Sequence, residues 1–206
     1  MIGRGPASHT RTASPRRRNV SAPGPLHPSL LSRLSVPIPT EVTPLGVGGA
    51  LPTRDRHLSA FALRREGRVL LFDCGEGTQH QLLLAGLLNS RLEAIFITHL
   101  HGDHVYGLPG LLSTLALLER TEELTIVGPE GIGAIISGPP GLTKDGFPYA
   151  LRLVELANGV EHEIVYEGGA FRVEARPLEH RVTCFGYRYQ EAERPGQIGR
   201  ASCRER

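Results

Sequence analysis

The chain has 206 residues, enough for one domain and part of a second, and 40% hydrophobic with 21% charged residues is the composition of a globular protein. Every apolar run is shorter than the ~18–20 residues that span a bilayer, which argues against a membrane-spanning helix. The net charge of +2 combines a basic start with residues 41–196, which carry 14 basic and 20 acidic side chains. This acidic stretch argues against a general nucleic-acid-binding surface, so a polyanionic substrate would have to be attracted by metal ions, a local basic patch or another part of the protein.

Both ends of the chain are predicted to lie outside the fold. Residues 1–40 hold six arginines and no acid, and they are rich in Ser, Pro and Gly, which predicts a disordered extension. Organellar transit peptides share this composition, but the prolines spoil an amphipathic helix, so we favour a start codon placed too early. Residues 197–206 resemble a translated sequencing-library adapter. We interpret them as a non-native tail and expect the natural protein to continue past Gly196, which leaves residues 41–196 as the folded part.

The apolar pattern predicts strands alternating with helices first and strands alone later, which indicates an α/β sandwich with mixed sheets. In chain order the predicted elements are strand Val42–Leu45, a hairpin of Leu58–Leu63 and Arg68–Phe72, helix Glu76–Leu88, strand Ala94–Thr98, helix Leu108–Arg120, strand Leu124–Val127, a stretch broken by Gly and Pro up to Tyr149, and strands Leu151–Leu156, Glu163–Tyr166, Phe171–Ala175 and Cys184–Tyr189. In the first helix, Leu82, Leu83 and Leu87 are assigned to the apolar face.

Four potential metal ligands lie within six residues directly after the strand Ala94–Thr98. They are His99, His101, Asp103 and His104. Imidazole nitrogens and carboxylate oxygens are donors that zinc sites use. In an extended loop His99 and His101 point the same way and can hold one ion. Gly102 is expected to let the backbone turn, so that Asp103 and His104 face a second ion close by.

Asp73 ends an apolar strand just before the glycines that open the first helix. Because this strand and Ala94–Thr98 are expected to end at the same edge of a sheet, Asp73 should lie near the potential ligands. Its carboxylate could accept a hydrogen bond from a ligating histidine and raise the basicity of that histidine. A simple turn or helix-capping aspartate is the alternative.

An ion held by His99 and His101 lacks a third protein nitrogen, and His180 is the best later candidate, although a lone histidine between strands is more often structural. His162 lies in a polar Glu-His-Glu turn and is predicted to be a solvated surface residue. Metal binding is not expected of the remaining histidines, which fall in the extension or at predicted exposed positions: His9, His27, His57 and His80.

Three motifs occur in order between Val42 and Gly196. They are Phe72-Asp-Cys-Gly-Glu-Gly-Thr-Gln79, His101-Gly-Asp-His-Val-Tyr-Gly-Leu-Pro-Gly-Leu-Leu112 and Leu178-Glu-His-Arg-Val…Phe-Gly-Tyr-Arg188. The histidine and aspartate pattern alone would imply only a hydrolase of the metallo-β-lactamase superfamily. The combination resembles ribonuclease Z, the tRNA 3′-end endonuclease of that superfamily. The resemblance implies a metallo-β-lactamase αββα sandwich with mixed sheets, of which this chain would be the N-terminal portion, with the C-terminal half missing.

The resemblance also implies a role for each candidate residue. His99, His101 and His180 would bind one zinc ion, and Asp103 and His104 would bind the second. Asp103 would also be the general base that orients or deprotonates the attacking water, and Asp73 would support the ligands. The family's bridging aspartate, its final histidine and its tRNA-clamping arm have no counterpart in this sequence.

The implied function is a zinc-dependent endoribonuclease with two Zn²⁺ ions per complete site. It would remove the 3′ trailer from precursor tRNA, leaving a tRNA 3′-hydroxyl and a 5′-phosphate on the trailer, and it would act as a homodimer without a membrane partner. The alternatives are another hydrolase of this fold, acting on small phosphodiesters, thioesters or sulfate esters, and a catalytically incomplete fragment. The three cysteines without a C-x-x-C motif favour a reducing compartment, hence a cytoplasmic location, with an organelle as the alternative.

Overall fold

A computed structural model describes residues 39–137 and 146–192 of the chain. The predictions for residues 1–38 and for the tail 197–206 lie outside the described residues. Thr40, which the sequence assigned to the extension, is instead the first residue of a strand.

Six strands form the larger sheet, and their order in space follows their order in the chain. They are β1 (Thr40–Gly46), β2 (Ala60–Arg65), β3 (Arg68–Phe72), β4 (Arg91–Phe96), β5 (Leu124–Pro129) and β6 (Leu151–Leu156). Strands β1 to β3 are antiparallel neighbours, whereas β3 to β6 run parallel. The β2–β3 hairpin turns on Glu66 and Gly67, both with positive φ, as a two-residue turn of this hand requires. The predicted mixed sheet is confirmed.

Parallel neighbours need a crossover connection, and helices supply it. Helix α1 (Thr78–Leu84) connects β3 to β4, and two helices, α2 (Gly102–Val105) and α3 (Leu108–Leu117), connect β4 to β5. A further helix, α4 (Ile132–Ser137), follows β5. The helices pack on one face of the larger sheet through a continuous apolar cluster, whose members include Leu82, Leu108, Leu111, Leu112, Ile132, Val69, Leu71, Ile95 and Ile126.

The other face of the larger sheet packs against a second, antiparallel sheet of three strands. These are β7 (Glu163–Glu167), β8 (Phe171–Pro177) and β9 (Phe185–Glu191). Phe96 lies at the centre of this interface, with its ring centroid 5.1 Å from that of Phe72 and 5.3 Å from that of Tyr187. The described residues therefore form three layers, helices, sheet and sheet, of the four that the αββα prediction contains.

Several local predictions need correction. The first helix is shorter than Glu76–Leu88, because its N-cap Gly77 and the later Gly86 both have left-handed φ angles. Leu82 is buried as predicted, but Leu83 is 56% exposed, so its assignment to the apolar face was wrong. The sequence pattern missed α2 and α4, which are too short for a helical period to be recognised. None of the described helices is long and apolar enough to cross a membrane.

Candidate metal centre

Strands β3 and β4 end side by side at one edge of the larger sheet. Their last registered pair is Phe72 with Phe96, so the residues that follow the two strands leave the sheet together. The N–H of Asp73 donates to the carbonyl of Phe96 at 2.8 Å. Asp73 has a φ of 60°, a left-handed conformation that aspartate tolerates better than most side chains. The structure thus brings Asp73 to the start of the loop that carries the potential ligands.

The Asp73 carboxylate is almost fully buried and surrounded by hydrogen-bond donors. One oxygen, Oδ2, lies 2.7 Å from Nδ1 of His104 and 3.2 Å from the hydroxyl of Ser59. The other, Oδ1, accepts hydrogen bonds from both the N–H and the hydroxyl of Thr98, each at 2.9 Å. Because α1 begins later, with Gly77 as its N-cap, Asp73 is not a helix-capping residue.

The loop after β4 brings three imidazoles together. The ring centroid of His99 lies 4.7 Å from that of His101 and 4.0 Å from that of His104. The His101 carbonyl accepts the N–H of His104 at 3.0 Å, which begins helix α2. Gly102 does not have the left-handed φ that a freely turning glycine would suggest. A Cβ at this position would meet the ring of the exposed Tyr106, which would have to turn away.

His180 reaches the same place from the second sheet. The N–H of Phe185 donates to the carbonyl of Thr98 at 2.9 Å, and the hydroxyl of Tyr187 donates to the carbonyl of Ile97 at 2.7 Å. These two bonds hold the start of β9 against the end of β4. The connecting loop is closed by a 2.8 Å hydrogen bond from Leu178 N–H to the Cys184 carbonyl, and it carries His180 to a ring distance of 4.7 Å from His99.

The donor set of His99, His101 and His180 fits a metal ion. One ligand nitrogen from each ring lies within 4.8 Å of the other two. Zinc–nitrogen bonds of about 2.0–2.1 Å in a tetrahedron separate ligand nitrogens by roughly 3.4 Å. The separation between Nε2 of His180 and Nδ1 of His101 is 3.4 Å. This pair therefore already has the spacing of two ligands of one ion, and His99 has a ligand nitrogen within 4.8 Å of both.

Asp103 and His104 lie next to this set. The Nε2 of His104 is 3.4 Å from Oδ2 of Asp103, whereas its Nδ1 is already bonded to Asp73. The same Oδ2 accepts a 2.7 Å hydrogen bond from the backbone N–H of Ala50, in the loop between β1 and β2. This contact was not predicted. No sequence signal could assign to this loop a partner 53 residues later in the chain.

The electrostatics of the cluster differ from one imidazole to the next. Burial, helped by the neighbouring imidazoles of His104 and His101, lowers the pKa of His99 to about 4, so this ring is neutral at pH 7 and its nitrogens can bind a cation. Burial alone would also lower the pKa of His104, but the hydrogen bond and charge of Asp73 outweigh it and raise that pKa. Burial would raise the pKa of Asp103, but the Ala50 N–H, the charges of His104 and His99 and the backbone N–H of Asp103 together lower it overall, which keeps this carboxyl group ionised.

Backbone contacts hold the segment after β3, at Cys74 and Gly75, against the segment that contains α2 and Gly107. The N–H of Gly107 donates to the Cys74 carbonyl at 2.9 Å, and the N–H of Cys74 donates to the His104 carbonyl at 2.8 Å. A Cβ on Gly107 would overlap the carbonyl oxygen of Gly75. Only a glycine lets the segment after α2 approach the segment after β3 this closely.

The other histidines within the described residues lie away from the cluster. His57 and His80 are exposed, as predicted. His162 is exposed too, but it is not merely solvated, since its Nε2 is 3.2 Å from Oε2 of the buried Glu174. Cys74 is a buried free thiol whose pKa is raised to about 12 by burial, and Cys184 is a partly buried free thiol.

The sequence and the fold both have known relatives. The chain is 51% identical over 159 residues to ribonuclease Z of Salinibacter ruber, a match that covers 77% of this chain and 49% of the relative. The crystal structure of human tRNase Z, short form, superposes with a TM-score of 0.65 at 37% identity, covering 73% of this chain and 64% of that one. The predicted resemblance to ribonuclease Z is confirmed. The chain spans about half the length of the curated relative it matches.

Two further matches bear on the fold and on the family. The metallo-β-lactamase fold protein YhfI from Bacillus subtilis superposes with a TM-score of 0.58 at 21% identity, covering 74% of this chain and 58% of that one, which supports the fold alone. The metallo-β-lactamase fold predicted for the ribonuclease Z-like stretch is thereby confirmed. A sequence family described as the anti-Pycsar protein Apyc1 matches residues 40–133.

Proposed function

We propose that this chain is part of a zinc-dependent endoribonuclease that removes the 3′ trailer from precursor tRNA, leaving a 3′-hydroxyl on the tRNA and a 5′-phosphate on the trailer. One observation carries the proposal: His99, His101, His180, Asp103 and His104 converge at one sheet edge. They do so in a chain 51% identical, over the matched stretch, to a ribonuclease Z.

The chain's own residues have distinct tasks in this proposal. His99, His101 and His180 would hold one ion, and Asp103 and His104 would contribute to holding a second. Zinc ions bound there would stabilise charge on the phosphoryl oxygens and make water acidic enough to attack near neutral pH. Asp103 would orient the attacking water and accept its proton, and the Ala50 N–H would hold the carboxylate for this task. Asp73 would fix the orientation of His104.

The test uses the full-length gene product, because the relatives are about twice as long as the matched stretch. We expect the purified protein to bind zinc and to cut a precursor tRNA once, directly after the mature 3′ region, with end groups identified by ligation and phosphatase treatment. A chelator should abolish cleavage, and added zinc should restore it. Cleavage that survives complete metal removal would contradict the proposal.

A second candidate is another hydrolase of the same fold that acts on a smaller phosphodiester. The observation behind it is that residues 40–133 match a family whose name is not ribonuclease Z, the anti-Pycsar protein Apyc1. Hydrolysis of bis(p-nitrophenyl) phosphate by a zinc-loaded full-length protein that leaves precursor tRNA intact would support this candidate and exclude the first.

We also propose that the protein is a homodimer in the cytoplasm. Support for a dimer comes from exposed leucines on the helical layer: Leu83, Leu84, Leu117 and Leu118. Support for a reducing compartment comes from the free thiols of Cys74 and Cys184. Sedimentation of the full-length protein and of the double variant Leu84→Glu, Leu117→Glu tests the dimer: the first should sediment as a dimer and the second as a monomer. An unchanged dimer in the variant would mean that another surface is used.

A further inference from the structure

The hydrogen bonds of Thr98 connect two histidines that the proposed function assigns to different ions. Thr98 Oγ1 lies 2.9 Å from Oδ1 of Asp73 and 2.9 Å from Nδ1 of His99. Oδ2 of the same carboxylate lies 2.7 Å from Nδ1 of His104. A single buried aspartate therefore touches His104 directly and reaches His99 through one hydroxyl group.

The protons in this chain of hydrogen bonds can be assigned by counting donors. The N–H and the hydroxyl of Thr98 both donate to Oδ1 of Asp73, and a hydrogen bond to a carboxylate oxygen is roughly twice as strong as one between neutral groups. The single hydroxyl proton of Thr98 therefore points to Asp73. The Thr98 oxygen is then an acceptor, so Nδ1 of His99 must carry the proton that lies between them. The same reasoning gives His104 a proton on Nδ1.

These assignments determine which nitrogens are available to metal ions. With Nδ1 protonated, His99 and His104 each present the lone pair of Nε2. In His104 this nitrogen faces Asp103, at 3.4 Å from Oδ2. In His99, Nδ1 is occupied by Thr98, which leaves Nε2 for the group that includes His101 and His180.

We propose that Thr98 is a positioning residue. Its hydroxyl donates to Asp73 and accepts from Nδ1 of His99, so that the Asp73 carboxylate sets the tautomer of one histidine at each of the two ion positions. The ion positions rest on the proposed function, whereas the hydrogen-bond relay does not. Thr98 is well suited to this role because its main chain is fixed independently of its hydroxyl. Its N–H donates to Asp73 and its carbonyl accepts from Phe185 N–H, both at 2.9 Å.

Two matched variants isolate the hydroxyl. Thr98→Val keeps the β-branched shape and the backbone bonds but removes the oxygen, and Thr98→Ser keeps the oxygen. The first readout is the tautomer of His99 in the metal-free full-length protein at pH 7.5, from long-range proton–nitrogen spectra of ¹⁵N-labelled histidine, assigned with His99→Gln. We expect the Nδ1–H form in the parent protein and in Thr98→Ser, and loss of that preference in Thr98→Val. The spectrum of exposed His80 should be the same in all three.

The second readout is zinc affinity, measured by competition with a chelator. Loss of a hydrogen-bond partner of a metal-binding histidine typically weakens binding by about 10–100-fold, which is the drop expected for one ion in Thr98→Val. Thr98→Ser should stay within a few-fold of the parent. Asp73→Asn should disturb both His99 and His104 in the spectra and weaken both ions.

The outcomes separate this inference from the proposed function. If His99 keeps its Nδ1 proton in Thr98→Val, or if Val and Ser bind zinc equally well, the relay through Thr98 is wrong even when the enzyme is active. If the parent protein binds no zinc but the tautomer of His99 changes as expected, the relay stands and the proposed function fails.

Discussion

The cluster at the sheet edge has two halves that are built differently. Asp73 and His99 follow the ends of β3 and β4, His104 lies in α2, and each of the three is held by a hydrogen bond to another of them or to Thr98. His101 and His180 are exposed, and the hydrogen-bond distance between their rings is a long 3.4 Å. The first half has its geometry before any ion arrives, whereas an ion would complete the geometry of the second.

This difference has an energetic meaning. Side chains already fixed by partly buried hydrogen bonds lose little conformational entropy when an ion binds, so their contribution to affinity is large. Exposed rings must be ordered by the ion itself. We therefore expect substitutions in the buried half to change both the metal-free protein and the metal complex, and substitutions in the exposed half to change only the complex.

The largest effect on activity is expected from Asp103→Asn in the full-length protein. The amide keeps the shape and can still meet the Ala50 N–H through its oxygen, but it cannot accept a proton from water. A positioned general base typically contributes about 10²–10⁴-fold, so kcat on precursor tRNA should fall by at least that range. The control is Glu179→Gln, an exposed carboxyl next to His180 in the chain. A loss below about tenfold would contradict the assignment of Asp103 as base.

Removing His101 or His180 should weaken metal binding without unfolding the protein. For His101→Ala and His180→Ala we expect zinc affinity to fall by more than the ~10–100-fold typical of a lost outer partner, because a ligand itself is lost. The urea midpoint of the metal-free protein should be unchanged, since both rings are exposed. His80→Ala, an exposed histidine on α1, is the matched control. A clear loss of metal-free stability in either variant would remove the distinction between the two halves.

The buried half also depends on the close approach of two backbone segments. Gly107→Ala would place a Cβ against the carbonyl oxygen of Gly75, and neither backbone can move without disturbing the bonds to Cys74. Forcing an extra methyl group into a packed site typically costs about 1–3 kcal/mol. Urea denaturation of the metal-free protein measures this loss of folding free energy. Gly49→Ala is the control, because its Cβ would meet open space. Equal stability of the two variants would show that the segments can separate freely.

The halves also differ in how far the sequence predicts them. His99, His101, Asp103 and His104 are neighbours in the chain, and the β-branched and aromatic residues before them identify the strand that ends there. The proximity of Asp73 follows from one rule, that parallel strands end at the same edge of a sheet. For His180 the sequence supplied a candidate without a geometry, because its position depends on hydrogen bonds from Phe185 and Tyr187 to another sheet. Such long-range contacts leave no local pattern.

The smallest expected effect comes from Ala50, whose N–H donates to Asp103 in a contact that the sequence did not predict. Ala50 has a φ of 54°, a left-handed conformation that costs a residue with a Cβ about 1–2 kcal/mol relative to glycine. Ala50→Gly removes this strain but raises the conformational entropy of the unfolded chain, which costs about 0.4–1 kcal/mol, so the net change should be a stabilisation of about 0–1.6 kcal/mol. It keeps the N–H that donates to Asp103.

The turnover of Ala50→Gly should therefore match that of the parent protein, if the only part of residue 50 that matters is its backbone donor. Replacing alanine 50 by lactic acid through an amide-to-ester exchange removes that donor and leaves the methyl group in place. The ester should turn over more slowly while Ala50→Gly does not. If both variants behave like the parent, the orientation of Asp103 depends on its own loop, and the 2.7 Å contact from Ala50 contributes nothing to catalysis.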